Sequence, residues 1–308
     1  MRVSLRHFRF FVATAESGQV SKAAATLFTS QSAVTEAIKA LESDTGVKLF
    51  ERHPKGVALT YEGSVFLQHA RSVLAAAADA MLAPQQVRRD MSGEFTLACT
   101  HTVAGYFLPP ILARFRRLFP GVVVQLVELK RPEIERCIDS GEIELAMCLT
   151  SALKHSDQIE TDVLARSRRR LWLPANHHLL QKARVSLADV HPEPYIMLTL
   201  DDAEETTHAY WREAGLQPKV VFRTSSMEAI RNMVVAGLGV TILSDMVYRP
   251  WSLEGARLDV MSISDALPNM DVGLAWRRDS ALSRYAKVFV DVCRMAHRDA
   301  PSIGYDDA

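Results

Sequence analysis

Ser30, Gln31, Ser32, Thr35, Glu36 and Lys39 are the first residues whose types and spacing suggest a chemistry. Val34, Ala37, Ile38 and Leu41 recur at i, i+3, i+4 and i+7, an apolar stripe along one side of a helix. Ser32, Thr35, Glu36 and Lys39 repeat that spacing on the polar side, and Ser30 fits the N-cap. A short helix anchored along one side, with Gln, Ser and Thr near its N-terminus, suits a major groove. There such side chains meet base edges and phosphates. An ordinary solvent-exposed amphipathic helix has the same pattern, and the stretch alone fits both readings.

A second group could hold a small molecule. Cys99-Thr100-His101-Thr102 lies between a strand pattern and a helix pattern. Hydroxyls and free N–H groups at a helix N-terminus attract an anion, although Thr100 and Thr102 could simply be caps. Thr150 and Ser151 follow another strand, and Thr199-Leu200-Asp201-Asp202 follows a strand ending at Leu198. Acids in a first helical turn are ordinary partners of the dipole. Asp201 or Asp202 could instead meet a cationic or N–H-bearing group, and Thr224, Ser225 and Ser226 add hydroxyls.

The flanking elements decide the first case. Leu5, Phe8, Phe11, Val12 and Ala15 predict an amphipathic helix ending near Gly18, and Ser21 is expected to cap a second, Lys22 to Phe28. The Ser30 helix follows after a tight break, the helix-turn-helix order. Gly46 should end that helix. Val47–Phe50 and Val57–Leu59 then read as two strands around a basic turn, Arg52-His53-Pro54-Lys55-Gly56, a small wing placed for phosphates. Up to residue 71 there are nine basic and six acidic residues, a local charge of about +3, whereas the whole chain is neutral.

These words, in this order, resemble the N-terminal domain of LysR-type transcriptional regulators. The resemblance rests on Phe10 to Gly18, Ser21-Lys22-Ala23-Ala24, Ser30 to Thr35, Ile38 to Glu42, Gly46 to Arg52 and Leu59-Thr60-Tyr61-Glu62-Gly63. It implies contact with double-stranded DNA by Ser30, Gln31, Ser32, Thr35, Glu36, Lys39, Arg52 and Lys55. One position departs: Glu36 stands where the family usually carries a basic residue. A carboxylate repels phosphate but can accept from cytosine N4, so the departure concerns which half-site is preferred.

Tyr61 to about Ala83 is a long Ala-rich helical pattern, and Leu67, Ala70, Leu74, Ala77 and Met81 form a short coiled-coil seam. The seam needs a partner, either its own domain's core or a second subunit. The resemblance implies a linker helix that pairs two subunits, and a tetramer beyond that. Pro84 is expected to end or kink it, and Gln85 to Gly93 reads as a hinge.

Beyond the hinge, strands and helices alternate. Strands are expected at 94–99, 122–129, 145–149, 170–173, 195–198, 220–224, 240–243, 258–263 and 272–276. Helices are expected at 103–119, 132–140, 204–214, 227–236 and 283–295. Alternation predicts largely parallel sheets with ligands at the strands' carboxyl ends. Ser226 to Ile230 and Ala236 to Val240 match the second lobe of the family's effector-binding domain, whose two lobes resemble periplasmic binding proteins. The fold class is therefore α/β with an N-terminal winged helix-turn-helix. The expected domains are 1–60, a linker helix 61–89, and an effector domain 90–308 with lobe one about 94–164 and 268–308 and lobe two about 165–267. The resemblance places the effector between Thr100, His101, Thr102, Thr150 and Ser151 on one lobe and Thr199, Asp201 and Ser225 on the other. Thr100-His101-Thr102 also resembles the family's sulfur-regulating branch, but Val103 interrupts that branch's pattern, so its ligand is not carried over.

Other classes find little support. His101 beside Thr and Cys invites a nucleophile, yet no Gly-x-Ser-x-Gly, phosphate loop or metal-ligand spacing accompanies it, so neither an enzyme nor a cofactor is expected. A free solute-binding protein would need a secretion signal and no winged helix. No signal peptide or membrane-length apolar run is present, and a cytoplasmic protein is expected. Cys99, Cys137, Cys148 and Cys293 show no Cys-x-x-Cys pair; they read as buried thiols, with Cys137 and Cys148 a conceivable redox pair. The expected partners are DNA, a small polar effector, other copies of the chain and RNA polymerase.

Overall fold

The computed structural model describes residues 3–53, 56–86, 91–154 and 157–298, in two units, one up to residue 90 and the other from Met91. The first contains α1 (Leu5–Ser17), α2 (Val20–Thr26), α3 (Gln31–Thr45), β1 (Phe50–His53), β2 (Gly56–Leu59) and α4 (Tyr61–Gln86). The stripe of α3 is buried as its spacing requires: Val34, Ala37, Ile38 and Leu41 all face the core. Ser30 caps it, its hydroxyl accepting from the Ala33 N–H at 3.2 Å, and Gly46 ends it in the left-handed region. α2 starts at Val20 after Gln19, so Ser21 is inside the helix and not its cap. The wing strand also starts later than expected, at Phe50, and Arg52 and His53 belong to it rather than to a turn. Lys55, with Pro54, lies outside the described residues.

The wing is fastened to α3 by Glu42. Its carboxylate accepts from the Leu49 N–H at 2.9 Å and from Lys48 Nζ at 2.8 Å. Thr60 Oγ1 donates to the Lys48 carbonyl at 2.7 Å and accepts from the Gly63 N–H at 2.9 Å. A Cβ on Gly63 would lie 2.0 Å from the Leu49 carbonyl oxygen, so only glycine lets α4 start this close to the wing.

Part of the α4 seam finds its partner within the unit, and the helix does not end at Pro84. Leu67, Ala70 and Leu74 pack on Phe11, Val12, Leu41 and Leu49, and Phe66 meets Phe11 edge-on at 4.9 Å. This part of the seam is thus occupied by the unit's own core. The helix also continues past Pro84 to Gln86, since a proline removes one backbone bond and the following N–H groups can still close the turn. The expected hinge therefore overlaps helix at Gln85 and Gln86 and strand at Gly93, while Val87 to Asp90 lie outside the described residues.

The second unit starts with β3 (Gly93–Cys99), α5 (His101–Tyr106), α6 (Leu108–Leu118), β4 (Val122–Glu128), α7 (Arg131–Ser140), β5 (Leu145–Leu149) and β6 (Ile159–Ser167). It continues through β7 (Arg169–Pro174), α8 (Leu187–Val190), β8 (Pro194–Leu198), α9 (Ala203–Glu213), β9 (Lys219–Thr224), α10 (Met227–Val235), β10 (Thr241–Ser244) and β11 (Leu258–Ser262). β12 (Met270–Arg277) and α11 (Arg284–Arg298) return to the first sheet. That sheet has the order β4-β3-β5-β12-β6, with β4, β3 and β5 parallel and β12 antiparallel to both its neighbours. The other lobe has an antiparallel β10-β7-β11 sheet and a parallel β8-β9 pair bridged to it between Tyr195 and Val240.

The sheets are thus mixed, not largely parallel. Strand β6 has no counterpart in the sequence reading, because only Val163 and Leu164 break its polar run Glu160-Thr161-Asp162 before Ala165-Arg166. It pairs with β12 up to Ser167–Met270, which moves the crossing between lobes a few residues beyond 164. There Ser167 Oγ accepts from Ser244 Oγ at 2.7 Å and from the Met246 N–H at 3.0 Å, all three buried. The single helix expected at 103–119 is two, broken at Phe107 ahead of Pro109 and Pro110. Proline lacks the N–H an interior turn needs but is tolerated in a first turn.

Candidate nucleic-acid interface and effector cleft

In the first unit α3 exposes Gln31, Ser32, Glu36 and Lys39, with Thr35 half-buried between them. Three hydroxyls already have partners: Thr35 Oγ1 donates to the Gln31 carbonyl at 2.8 Å, and Ser30 and Ser32 Oγ lie 3.0 Å apart. Gln31, Glu36 and Lys39 are left with long side chains in solvent, one carboxylate among groups that can donate. Arg52 is exposed on β1 of the wing. Helix and wing are held in register by Glu42. Burial alone would raise its pKa, but Lys48 and the Leu49 and Phe50 N–H groups outweigh it and hold it below the ordinary carboxylate range.

In the second unit the segment 201–205 of lobe two is tied to three elements of lobe one. Asp201 Oδ2 accepts from the Thr102 N–H at 3.0 Å and from Thr102 Oγ1. Arg131 Nε, at the start of α7, donates to both Asp202 oxygens at 3.0 and 3.1 Å. Lys154 Nζ meets Glu205 at 2.8 Å. Thr102 and Asp201, picked separately from the sequence, are thus brought together, with a carboxylate oxygen at the first turn of α5. Asp201 holds a φ of 48°, a left-handed value that Asp tolerates better than most residues. Thr100 Oγ1, two residues before Thr102, is buried and has no hydrogen-bond partner among the described residues. Such a group costs about 1–3 kcal/mol when left unpaired.

The remaining candidates are placed differently. His101 points to Glu128, Nδ1 to Oε1 2.7 Å, on an exposed surface. Thr150 Oγ1 donates to the Asp271 carbonyl at 3.3 Å and Ser151 Oγ accepts from the Asp271 N–H at 3.2 Å, so both are engaged by β12. Thr199 is half-buried and bonds through its N–H to the Thr224 carbonyl at 2.9 Å; Ser225 is exposed, just before Ser226 caps α10. Arg131 is the residue that sequence reasoning missed. Burial disfavours its charge, but Asp202 and Glu135 more than offset this and raise its pKa. Its only signal in the sequence was a charged residue before Pro132 at a helix start.

His177, His178 and Glu193 form a further cluster, at 3.5 and 3.2 Å from the carboxylate. His177 Nδ1 accepts from the Leu179 N–H at 3.3 Å, which leaves the ring proton on Nε2, facing Glu193. The cluster is a hydrogen-bonded tie. All four cysteines are buried and free, and burial pushes Cys99 up to about 11 and Cys148 up to about 12.

Residues 5–64 match the family signature of bacterial regulatory helix-turn-helix proteins of the lysR family, and residues 88–298 match the LysR substrate binding domain. The chain belongs to the LysR family of transcriptional regulators. It is similar to the HTH-type transcriptional regulator CysB of Burkholderia cenocepacia, 30% identical over 83% of this chain and 82% of that protein. The hydrogen peroxide-inducible genes activator of Pectobacterium carotovorum is 29% identical over 95% of this chain and 96% of its own length. Among solved structures, HinK, a LysR family regulator from Pseudomonas aeruginosa, superposes with a TM-score of 0.60 at 28% identity, covering 95% of this chain and 98% of that one. As a LysR-family protein the chain is a regulator of transcription and not an enzyme, with a DNA-binding helix-turn-helix and an effector-binding domain. No helix among the described residues is long and apolar enough to cross a membrane.

Proposed function

We propose that this regulator reads its operator with Gln31, Ser32, Thr35 and Glu36 of α3, holds phosphates with Arg52 and Lys55, and senses a small polar metabolite between its two lobes. The observation that carries the sensing half is the Asp201 carboxylate on Thr102. An internal carboxylate occupies a place where an anionic oxygen of an effector could bond to the same N–H and hydroxyl. The unpartnered hydroxyl of Thr100 and the Arg131 guanidinium supply further groups for it. An effector that displaces Asp201 makes its own contacts with both lobes and shifts the population of lobe arrangements only by that difference in affinity.

The working form is a dimer paired through α4, and two such dimers make the expected tetramer; RNA polymerase is the expected protein partner and the cytoplasm the expected location. Pairing uses the side of α4 that the unit's own core leaves open, where Val65 and Val73 are exposed together with Ala76. A dimer implies a pseudo-palindromic site with half-sites spaced by helical turns. The test of function is a gel shift with the DNA just upstream of the chain's own gene, followed by a thermal-shift screen of small carboxylates, sulfate and amino acids on wild type and Thr102→Ala. Specific retardation of that DNA, and a stabilising compound whose effect is lost in Thr102→Ala, are expected. No retardation overturns the operator reading. A compound that stabilises both forms equally overturns the role of Thr102.

A further inference from the structure

Phe28 combines two features that folded proteins usually avoid. Helix α2 closes in a Schellman turn: the Thr29 N–H bonds back to the Ala24 carbonyl at 2.9 Å and the Phe28 N–H to the Ala25 carbonyl at 3.2 Å. The left-handed position of such a turn is ordinarily glycine, which has no Cβ to clash. Here it is Phe28, with φ of 50°. Its ring is 98% exposed, more than any other large apolar side chain among the described residues. The left-handed backbone costs a non-glycine residue about 1–2 kcal/mol, and a ring in water buries no area to offset it. Strain of this kind persists where it serves a function.

Its position says which function. Phe28 stands two residues before the Ser30 cap and three before Gln31, at the end of α3 that presents Gln31 and Ser32 to solvent. The turn is tethered as well. Arg6 Nη2 reaches Thr29 Oγ1 at 3.4 Å while its guanidinium lies 5.0 Å from the Phe10 ring centroid. An exposed aromatic ring is therefore carried on a fixed turn, continuous with the surface proposed to meet DNA. The ring has neither charge nor donor, so phosphates and base N–H or C=O edges offer it nothing. The apolar feature of the major groove is the thymine C5-methyl group.

We propose that Phe28 is a DNA contact whose ring packs on the C5-methyl of a thymine at the edge of the half-site. This rests on the reading that α3 enters the major groove, and it adds a specificity element outside that helix. The experiment uses the full-length protein and a duplex selected by wild type from a random-sequence library. Phe28→Ala and Phe28→Gly should each lose about fivefold or more in affinity, with an unchanged slope of log K against log salt, because the ring releases no counterion. Replacing a flanking thymine of each half-site by deoxyuridine should reproduce the loss in wild type and have no effect on Phe28→Ala. Phe28→Gly should melt at a higher temperature than wild type, since the strain is relieved, which separates lost contact from lost fold. Gln31→Ala, run in parallel, should lose affinity yet keep the thymine dependence. If Gln31→Ala binds like wild type while the Phe28 variants are weakened and lose the thymine dependence, the base contact assigned to Gln31 is wrong and the Phe28 contact stands. Unchanged affinity of Phe28→Gly, or the same loss on thymine and deoxyuridine duplexes, overturns the proposal. So does full DNA binding with lost transcription, which would assign the ring to RNA polymerase.

Discussion

Glu36 and Glu42 sit six residues apart on α3 and do opposite work. Glu36 is exposed on the polar side, while Glu42 is turned back to hold Lys48 and the backbone of the wing. The folded state holds the Glu42 pKa down, so its contribution is present above the ordinary carboxylate range and is lost as pH falls through the folded pKa. Glu42→Gln should lower the melting temperature at neutral pH, and its deficit relative to wild type should shrink on acidification. Melting curves across that range check this; a deficit independent of pH would assign the effect to packing instead. The thiols allow a second test. With all four cysteines buried and their pKa values raised by burial, a thiol reagent at neutral pH should react slowly with native protein and fully after unfolding. A fast-reacting native thiol would reopen the redox reading of Cys137 and Cys148. At this scale the sequence exposed the types but not the partners. Ser30 as a cap was legible from its place before a stripe, whereas the pairing of Thr102 with Asp201, 99 positions apart, needed the fold.

Helix α4 shows what periodicity can and cannot tell. Leu67, Ala70 and Leu74 announced a stripe, and the structure packs it on Phe11 and Val12 of the same unit, with Ala70 buried and both leucines half-buried. A seam of aliphatic residues has the same spacing whichever partner covers it. The consequence for mutagenesis is specific. Leu74→Asp should unfold the winged helix, costing several kcal/mol as a large apolar side chain is replaced by a charge. Val73→Asp, on the 39%-exposed neighbour, should leave the unit folded and dissociate the dimer. Circular dichroism and sedimentation at micromolar concentration separate the two outcomes. A monomeric wild type, or a Val73→Asp protein that stays dimeric, contradicts pairing through this face. Strand β6 and the break between α5 and α6 were less legible, the one for lack of apolar alternation, the other because the helical pattern runs on across Pro109 and Pro110.

For the whole molecule, the alternation of strands and helices correctly announced an α/β second unit, but it could not show that β12 enters antiparallel from the far end of the chain. That return brings Asp271 onto Thr150 and Ser151 and commits their hydroxyls. The cleft that remains is fastened by residues 201–205, and Asp201→Ala should free Thr102 and loosen the lobes without an effector. Its Thr102 amide should exchange with solvent faster than in wild type; unchanged exchange would mean that the bond to Asp201 protects nothing. An effector held by Thr102 should bind Thr102→Ala at least about tenfold more weakly, in line with one lost buried hydrogen bond. We propose a division of labour in the molecule, with DNA sequence read by α3 and the small molecule sensed by the cleft. One measurement addresses it directly: the affinity of wild type, Glu36→Ala and Thr102→Ala for every single-base variant of the selected operator, with no effector present. Glu36→Ala should change preference at one symmetric pair of positions, and Thr102→Ala should match wild type throughout. A Glu36→Ala profile identical to wild type, or a Thr102→Ala profile that differs from it, would rule out this division of labour.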